Sequence, residues 1–578
     1  MKGKVLAKFD LAKCNLAKCN LAKFDLAKFQ EEGIDIMFKF LFAVIVASFI
    51  FLAMPAEVFA NGNGNGILPA GNMSFFGGIS EGVMLPRTTE IMLVEQGTRR
   101  NRRQDLNLRY TEMVFLDGAP VRFDGTLGIS TSGTVDMDNE VGTFNVTHTV
   151  ESSAATADWV DIERDVTFRV NYRVAGSQVI FTYDAQRDNW DETIILNDTE
   201  FVLDADNSHF VISIIEDRTP GVSYYRGDIS ARLVYVDDAG NVTVQEKMGS
   251  FHGYRSAWSA TETHRIDSVI SHYLRDDPEG NPTLWEPDWQ MHYQIRPSIT
   301  MNKVLQFVRN EPTAISFDGN FREVMQNNVG LRYDIFVAPS FVSLDFLPLP
   351  PSGVISGVVS IDTPNTFEQL PSPDLNFLRG NAAEDDIRRL FATQILTGDP
   401  RFFQPEHAIS RGQFVAAVAR AIRLPIEEPV VATRGRVQPD VSVFFDVPNT
   451  RPEYRYIMAA YRSGLAVGRA NSMFYFDYPI DRQEAFMILI RALGLSHLSL
   501  TPTPVTPFAD DFLIAPWAHR EVTAAWMIGL AEADQWGNFN PTVMLTMGEA
   551  ANIINELVEY MRVGLVSDYA DQIVNIAN

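Results

Sequence analysis

Cysteine is almost missing from this chain: 578 residues contain only Cys14 and Cys19. Two cysteines cannot build a disulfide framework or a four-cysteine zinc site. Lysine is scarce in a different way. Eight of the ten lysines lie in residues 1–60, which hold no arginine, and only Lys247 and Lys303 follow, against 38 arginines. Positive charge is in deficit overall, with 48 basic and 73 acidic residues and a formal net charge of −25. That argues against nucleic acid as a partner, because such binders need a basic surface to replace counterions along phosphates. No His-Glu-x-x-His, Gly-x-Ser-x-Gly or phosphate-loop motif occurs, so no motif marks the chain as an enzyme. What is present is ordinary globular composition, 46% apolar and 21% charged, which excludes global disorder. At about 150 residues per domain the length predicts three or four domains.

Residues 1–36 form a repetitive leader, with Leu-Ala-Lys-Phe-Asp and Leu-Ala-Lys-Cys-Asn recurring at period five over 6–29. A pentapeptide solenoid is one reading, although so few coils give little core. Translated repetitive DNA upstream of a start at Met37 is the favoured one. Residues 37–60 combine Lys39, an apolar run from Phe40 to Met54 and a small residue at Ala60, the pattern of a secretory signal peptide. The run is short for a bilayer span of about 20 residues; membrane contact is expected only through this segment if it is retained. An Asn-Gly spacer follows. Cleavage after Ala60 leaves a cysteine-free chain of net charge −27, so stability must come from packed cores.

Residues 61–375 read as a β-rich surface domain. Val166, Phe168, Val170, Tyr172 and Val174 alternate with Thr167, Arg169, Asn171 and Arg173, the period of a half-buried strand. Ala175-Gly176-Ser177 then turns the chain toward Val179, Phe181 and Tyr183, making a hairpin. Leu233 and Tyr235, the turn 237–241, and Val242 and Val244 make a second. Further strands are expected at 201–203, 209–215 and 331–337. Many short strands with Gly, Asn and Asp turns predict a sandwich-like architecture. The acidic turns at 136–140, 204–207 and 276–280 are candidates for calcium. Asp and Asn are also the ordinary turn residues, and no run has EF-hand spacing; neither a metal nor another cofactor is assigned.

The stretch 252–293 holds His252, His264, His272 and His292 with Trp258, Trp285 and Trp289. Trp285-Glu286-Pro287-Asp288-Trp289 sets carboxylates beside aromatic faces, a mixture that sugar-binding and glycosidase sites use. Glu286 and Asp288 are therefore the candidate acids, against the plainer reading of core aromatics and surface histidines. The histidine spacing matches no zinc pattern. Prolines from Pro348 to Pro373 predict a linker.

The last 200 residues carry one unit three times. Ile409-Ser410-Arg411-Gly412-Gln413, Ile480-Asp481-Arg482-Gln483-Glu484 and Leu545-Thr546-Met547-Gly548-Glu549 align, and Phe403, Phe474 and Phe539 precede them at one fixed offset. Each copy reads as helix, loop, helix. In copy one Ile387, Leu390, Phe391 and Ile395 make the first apolar stripe, and Gly398 is expected to end that helix. Ser410, Asp481 and Thr546 suit N-caps of the second helices. Phe414, Val418 and Ile422, and then Phe486, Leu489, Ile490 and Leu493, are their buried stripes.

These copies resemble S-layer homology domains, at 380–428, 441–498 and 505–562. The likeness rests on Phe444-Phe445-Asp446-Val447 and Gly464-Leu465; on Phe508-Ala509-Asp510, Trp517-Ala518, Gly529-Leu530 and Phe539-Asn540-Pro541; and on Gly398, Phe403-Gln404-Pro405 and Ile409-Ser410-Arg411. The resemblance implies an all-α pseudo-threefold bundle that docks a secreted protein non-covalently onto a secondary cell-wall polysaccharide, often one bearing an acidic pyruvate ketal. It implies a ligand-contacting arginine at the start of each second helix. Arg411 and Arg482 match that position and Met547 does not, so the third groove is expected to be weak or empty. Ser410, Asp481, Gly398, Gly468, Asp446 and Trp517 complete the implied binding set, and Tyr454 stands in for the tryptophan in copy two. A helix N-terminus attracts anions and arginine adds a fork of donors. The function so implied is a wall-anchored surface protein with a structural or adhesive β domain; an anchored carbohydrate-active enzyme or glycan-binding protein is the alternative.

Overall fold

The computed structural model describes residues 71–73, 76–84, 105–133, 140–153, 156–157, 159–275, 287–307, 321–337, 354–363, 365–370, 375–426, 442–469, 472–499 and 505–569. The leader, the signal segment, the Asn-Gly spacer, the turn residues 136–139 and 276–280, Trp285 and Glu286 lie outside them.

Alternating sequence becomes sheet throughout the first half. The strands are β1 (Gly71–Met73), β2 (Ile79–Met84), β3 (Asp105–Val114), β4 (Val121–Gly133), β5 (Val141–Ser152), β6 (Val160–Ala175), β7 (Gln178–Leu196), β8 (Thr199–Leu203), β9 (His209–Arg218), β10 (Val222–Asp237), β11 (Val242–Ser256), β12 (Ser259–Tyr273), β13 (Trp289–Phe307), β14 (Phe321–Val337), β15 (Ile355–Ile361) and β16 (Thr366–Leu370). Val166, Phe168, Val170 and Tyr172 are buried, Arg169, Asn171 and Arg173 are exposed, and Val174 pairs with Val179 across the expected hairpin. The second hairpin forms as well: Val236 pairs with Val242, and the Asp237 carboxylate accepts from the Asn241 backbone N–H at 2.7 Å.

Among the described residues these strands make one antiparallel sheet of 16, nearly all in sequence order. Two separately bonded sheets, as a sandwich would have, are not formed. The sheet instead curls on itself, as the twist of a long meander allows. Phe115, after β3, stacks on Tyr293 of β13 with centroids 3.9 Å apart, and Arg109 of β3 donates to the Asp362 carbonyl beyond β15 at 3.0 Å. Inside the curl Arg164 bridges Glu112 at 2.8 Å and Glu192 at 2.7 Å. Lys247 lies beside them, 4% exposed, donating to the Phe76 carbonyl at 3.0 Å. Burial holds its ammonium down to about 8, against the pull of Glu112.

The segment expected as a linker contains β15, and 338–353 lie outside the described residues. Helices then take over: α1 (Glu384–Ala392), α2 (Arg411–Ala421), α3 (Tyr454–Arg462), α4 (Arg482–Leu493), α5 (His519–Met527) and α6 (Met547–Glu559), with a π turn at Tyr560–Gly564 and a short α7 (Leu565–Asp568). Phe414, Val418, Ile422, Phe486, Leu489, Ile490 and Leu493 are all buried as the helical period requires. Each such side chain contributes about 1.5–3 kcal/mol relative to exposure. Gly398 does not end α1. That helix stops at Ala392, where Thr393 bonds back to Arg389 and Gln394 takes φ +59°; Gly398, at φ +103°, turns the loop beyond.

The sheet keeps its own core, and the helical core takes in Val222, Tyr254, Ala257 and Trp258 from it. Trp258, 1% exposed in the β11–β12 turn, is buried with the helical residues and donates its indole N–H to the Ala421 carbonyl at 2.8 Å. Gly221 N–H reaches the Ala492 carbonyl at 2.8 Å and the Tyr224 hydroxyl the Leu493 carbonyl at 3.0 Å. The Ser259 hydroxyl bonds the Met561 carbonyl. Gly494 takes φ +71° at the end of α4, where a Cβ would run into Thr219.

Candidate functional site

The three second helices begin side by side. Ser410, Asp481 and Thr546 are their N-caps, each side chain accepting from the backbone N–H three residues on. Before the caps the strands of the three loops exchange backbone bonds in a closed cycle. Ile409 N–H donates to Leu545, Leu545 N–H to Ile480, and Ile480 N–H to Ile409, at 3.0, 3.0 and 3.3 Å.

The next two amides of each helix are also taken. Arg411 and Gly412 donate to the Tyr478 and Phe476 carbonyls, Arg482 and Gln483 to Val543 and Pro541, and Met547 and Gly548 to His407 and Pro405. The orphan donors that make a helix start an anion site are therefore consumed by the neighbouring unit's loop. The expectation that backbone amides here hold an acidic ligand is corrected: the first-turn donors are filled.

The two arginines part company. Arg411 is 2% exposed. Its Nε bonds Glu484 Oε1 at 2.7 Å, its two terminal nitrogens donate to the Phe474 and Val467 carbonyls, and its guanidinium lies 4.2 Å over the Phe474 ring. Arg469 takes the other Glu484 oxygen at 2.7 Å. Arg411 is thus an internal tie rather than a cation offered to solvent. The diversion of Glu484 has a local cost. Units one and three have full capping boxes through Gln413 and Glu549, while the second helix keeps only the Asp481 half.

Arg482 occupies the matching place one unit on, with Phe486 and Phe539 rings 5.2 and 5.3 Å from its guanidinium carbon. Its Nε is buried with no hydrogen-bond partner among the described residues. Burial lowers its pKa, with Glu549, Glu556 and Asp534 opposing. Glu556, squeezed by burial and by Glu532 and Asp386, is raised.

Asp446 is a loop clamp. Its carboxylate accepts from Phe474 N–H at 2.7 Å and Phe476 N–H at 2.9 Å, and Asp510 does the same for Phe539 and Asn540. Burial alone raises the Asp446 carboxyl, but these donors hold it below the usual range. Gly468 lies against Phe444, leaving no room for a Cβ. Tyr454 is buried in the core. Trp517 is 51% exposed on a segment tied to α4, since Ala515 N–H donates to the Gln483 side chain at 2.9 Å.

The described histidines of the stretch take separate partners. His264 is buried against Glu262 at 2.7 Å and stacks on Phe251, His272 stacks on Trp289, and His292 meets Phe336. Asp288 is exposed, its N–H donating to the His272 carbonyl at 2.8 Å. The Asp204 turn is closed by its own bonds from Asn207, and among the described residues no three His, Cys, Asp or Glu gather as metal ligands. Sequence reasoning passed over Glu484, Arg469 and the docking role of Trp258. For Trp258 the available signal was a large aromatic between small residues, Ser256-Ala257 and Ser259.

The S-layer homology domain family model matches residues 444–486. Among curated proteins, exoglucanase XynX of Acetivibrio thermocellus is 29% identical over 190 residues, 32% of this chain and 16% of that protein. An endoglucanase of Bacillus sp. (strain KSM-635) is 25% identical over 30% of this chain and 17% of its own length. The S-layer protein of Bacillus licheniformis is 26% identical over 35% of this chain and 21% of its own. This chain therefore spans about a fifth or less of the relatives it matches. With α3, the clamp Asp446 and the start of α4 all inside the matched span, the chain carries an S-layer homology domain, which points to a cell-wall or S-layer surface location.

Proposed function

We propose that this protein is secreted and holds itself to an acidic secondary cell-wall polysaccharide through three S-layer homology repeats packed as a pseudo-threefold bundle, displaying the β-rich domain in a structural or adhesive role. The cyclic bonding of the three loops supports the threefold reading. The observation that carries the binding assignment is the half-buried guanidinium of Arg482, set between aromatic rings and in no ion pair among the described residues. A carboxylate on the polymer would give that guanidinium the charge-assisted partner it lacks. The net charge of −25 does not forbid this, because screening limits its reach to about 8 Å at physiological salt. Arg411, already saturated, supports the fold, and the groove headed by Met547 contributes little.

Cosedimentation of the full chain with cell-wall sacculi, intact and stripped of accessory polymer, tests this. Binding to intact walls only, lost in Arg482→Ala, is expected. Equal binding to stripped walls, or an unaffected Arg482→Ala, refutes it.

A second reading, an anchored carbohydrate-active enzyme, is favoured by the two glucanase relatives and by exposed Asp288 next to Trp289. Glycan turnover lost in Glu286→Gln would establish it.

A further inference from the structure

The sheet meets the helical units chiefly at and just beyond the C-terminal ends of the second helices, with Ala392 at the end of α1 packed on Phe321 and Leu370. Those ends leave carbonyls without intrahelical partners. Three β-domain donors meet such carbonyls: Trp258 Nε1 at Ala421, the last residue of α2, and Gly221 N–H and Tyr224 OH at Ala492 and Leu493, the last residues of α4; a fourth, Ser259 OH, bonds the Met561 carbonyl in the π turn that carries α6 on into α7. Two second helices are served at their ends, and the third along the turn that continues it. Around these bonds the contact is aromatic. Trp258, Tyr254 and Val222 are buried with the helical core, and Tyr569, following α7, packs on Tyr224 and edge-on against Tyr254. An ion cluster closes the rim, where Glu323 of β14 binds Lys303 of β13 and, at 3.1 Å, Arg423 after α2.

We propose that the β domain is the cap of the helical units, so that the two fold, open and unfold as one cooperative body rather than as a module on a tether. Removing the sheet would strand carbonyls at the ends of α2 and α4 and expose the Trp258 socket, which an independent bundle would have to fill by other means. The helix N-termini lie at the opposite ends of the same three helices. Any ligand held there therefore stabilises the displayed domain as well, by linkage. The coupling itself does not depend on what those N-termini bind.

Hydrogen exchange of the full chain, read by mass spectrometry in rising urea, tests the proposal without a ligand. Amides of α2, α4 and α6 and of β10–β13 are expected to merge into one opening with a common urea dependence. In Trp258→Ala both sets should exchange at least about tenfold faster. Tyr224→Phe and Ser259→Ala each delete one hydroxyl and spare the packing, and should speed both sets by roughly fivefold. Separate openings of helices and strands in the unaltered chain overturn the proposal. So do hydroxyl variants that speed the strand amides and leave the helices unchanged.

Discussion

The guanidinium of Arg411 and the carboxylate of Glu484, from successive helical units, meet at 2.7 Å in a site where both side chains are almost fully buried. Removing Glu484 leaves two guanidiniums, Arg411 and Arg469, without their carboxylate, and removing Arg411 leaves Glu484 with Arg469 alone. Glu484→Gln should destabilise the chain by about 3–5 kcal/mol, read as a lower urea midpoint. Arg411→Ala should lower stability similarly while the folded fraction still binds walls. A wall-binding loss in Arg411→Ala with unchanged stability would contradict the internal-tie assignment.

Asp446 and Asp510 each hold two backbone amides of a loop. Asp446→Ala or Asp510→Ala should cost about 2–3 kcal/mol. Because the Asp446 carboxyl is depressed, its contribution is present above the ordinary carboxylate pKa of 3.8 and is lost as pH falls through the lowered value. Acid titration of the urea midpoint should be flatter in Asp446→Asn.

Thr546→Ala removes an N-cap acceptor and one arm of a capping box, and should cost about 1 kcal/mol. Asp481→Asn should be nearly neutral, since the amide oxygen can still accept from Glu484 N–H and burial already raises the Asp481 carboxyl.

Glu556 is raised by burial, then by Glu532 and Asp386, and Arg482 is its opposing cation. As pH falls toward its pKa it gives up its charge and stops competing for Arg482. Wall binding should therefore strengthen between pH 7 and mildly acidic pH, and Glu556→Gln should bind at neutral pH as the unaltered chain does in acid. A pH-independent isotherm in the unaltered chain would sink this.

Tyr224, Tyr254, Tyr560 and Tyr569 are all raised above 10.0, chiefly by burial. The folded state keeps these protons where the unfolded chain releases them. Their contribution is whole below pH 10 and is lost as pH climbs past it. The urea midpoint should drop above pH 10, less steeply in Tyr569→Phe.

Local rules carried far in this chain. Strict alternation at 166–174 gave the strand and its face, because a period of two leaves no other way to bury Val166 through Tyr172. The caps at Ser410, Asp481 and Thr546 were legible because short oxygen side chains ahead of an apolar helical stripe have one main use. Distance in sequence defeated the rest. Nothing around Glu484 says that it abandons its capping box for an arginine in the preceding unit, since both choices satisfy a carboxylate. The curl of the sheet depends on Phe115 meeting Tyr293, a pairing no local pattern encodes. Gly398 was misread because a glycine after an apolar stripe serves a helix end or a loop turn equally well.

Beyond residue 60 the chain keeps only two lysines, and both are buried among glutamates. Every cation on the described surface of that part of the chain is therefore arginine or, in acid, histidine. A guanidinium stays protonated at any pH a cell meets. The described part of the chain thus presents its surroundings with fixed positive charge and no side-chain amine: alkaline medium cannot discharge it, and acylating or aldehyde chemistry finds no lysine there to modify until the fold opens.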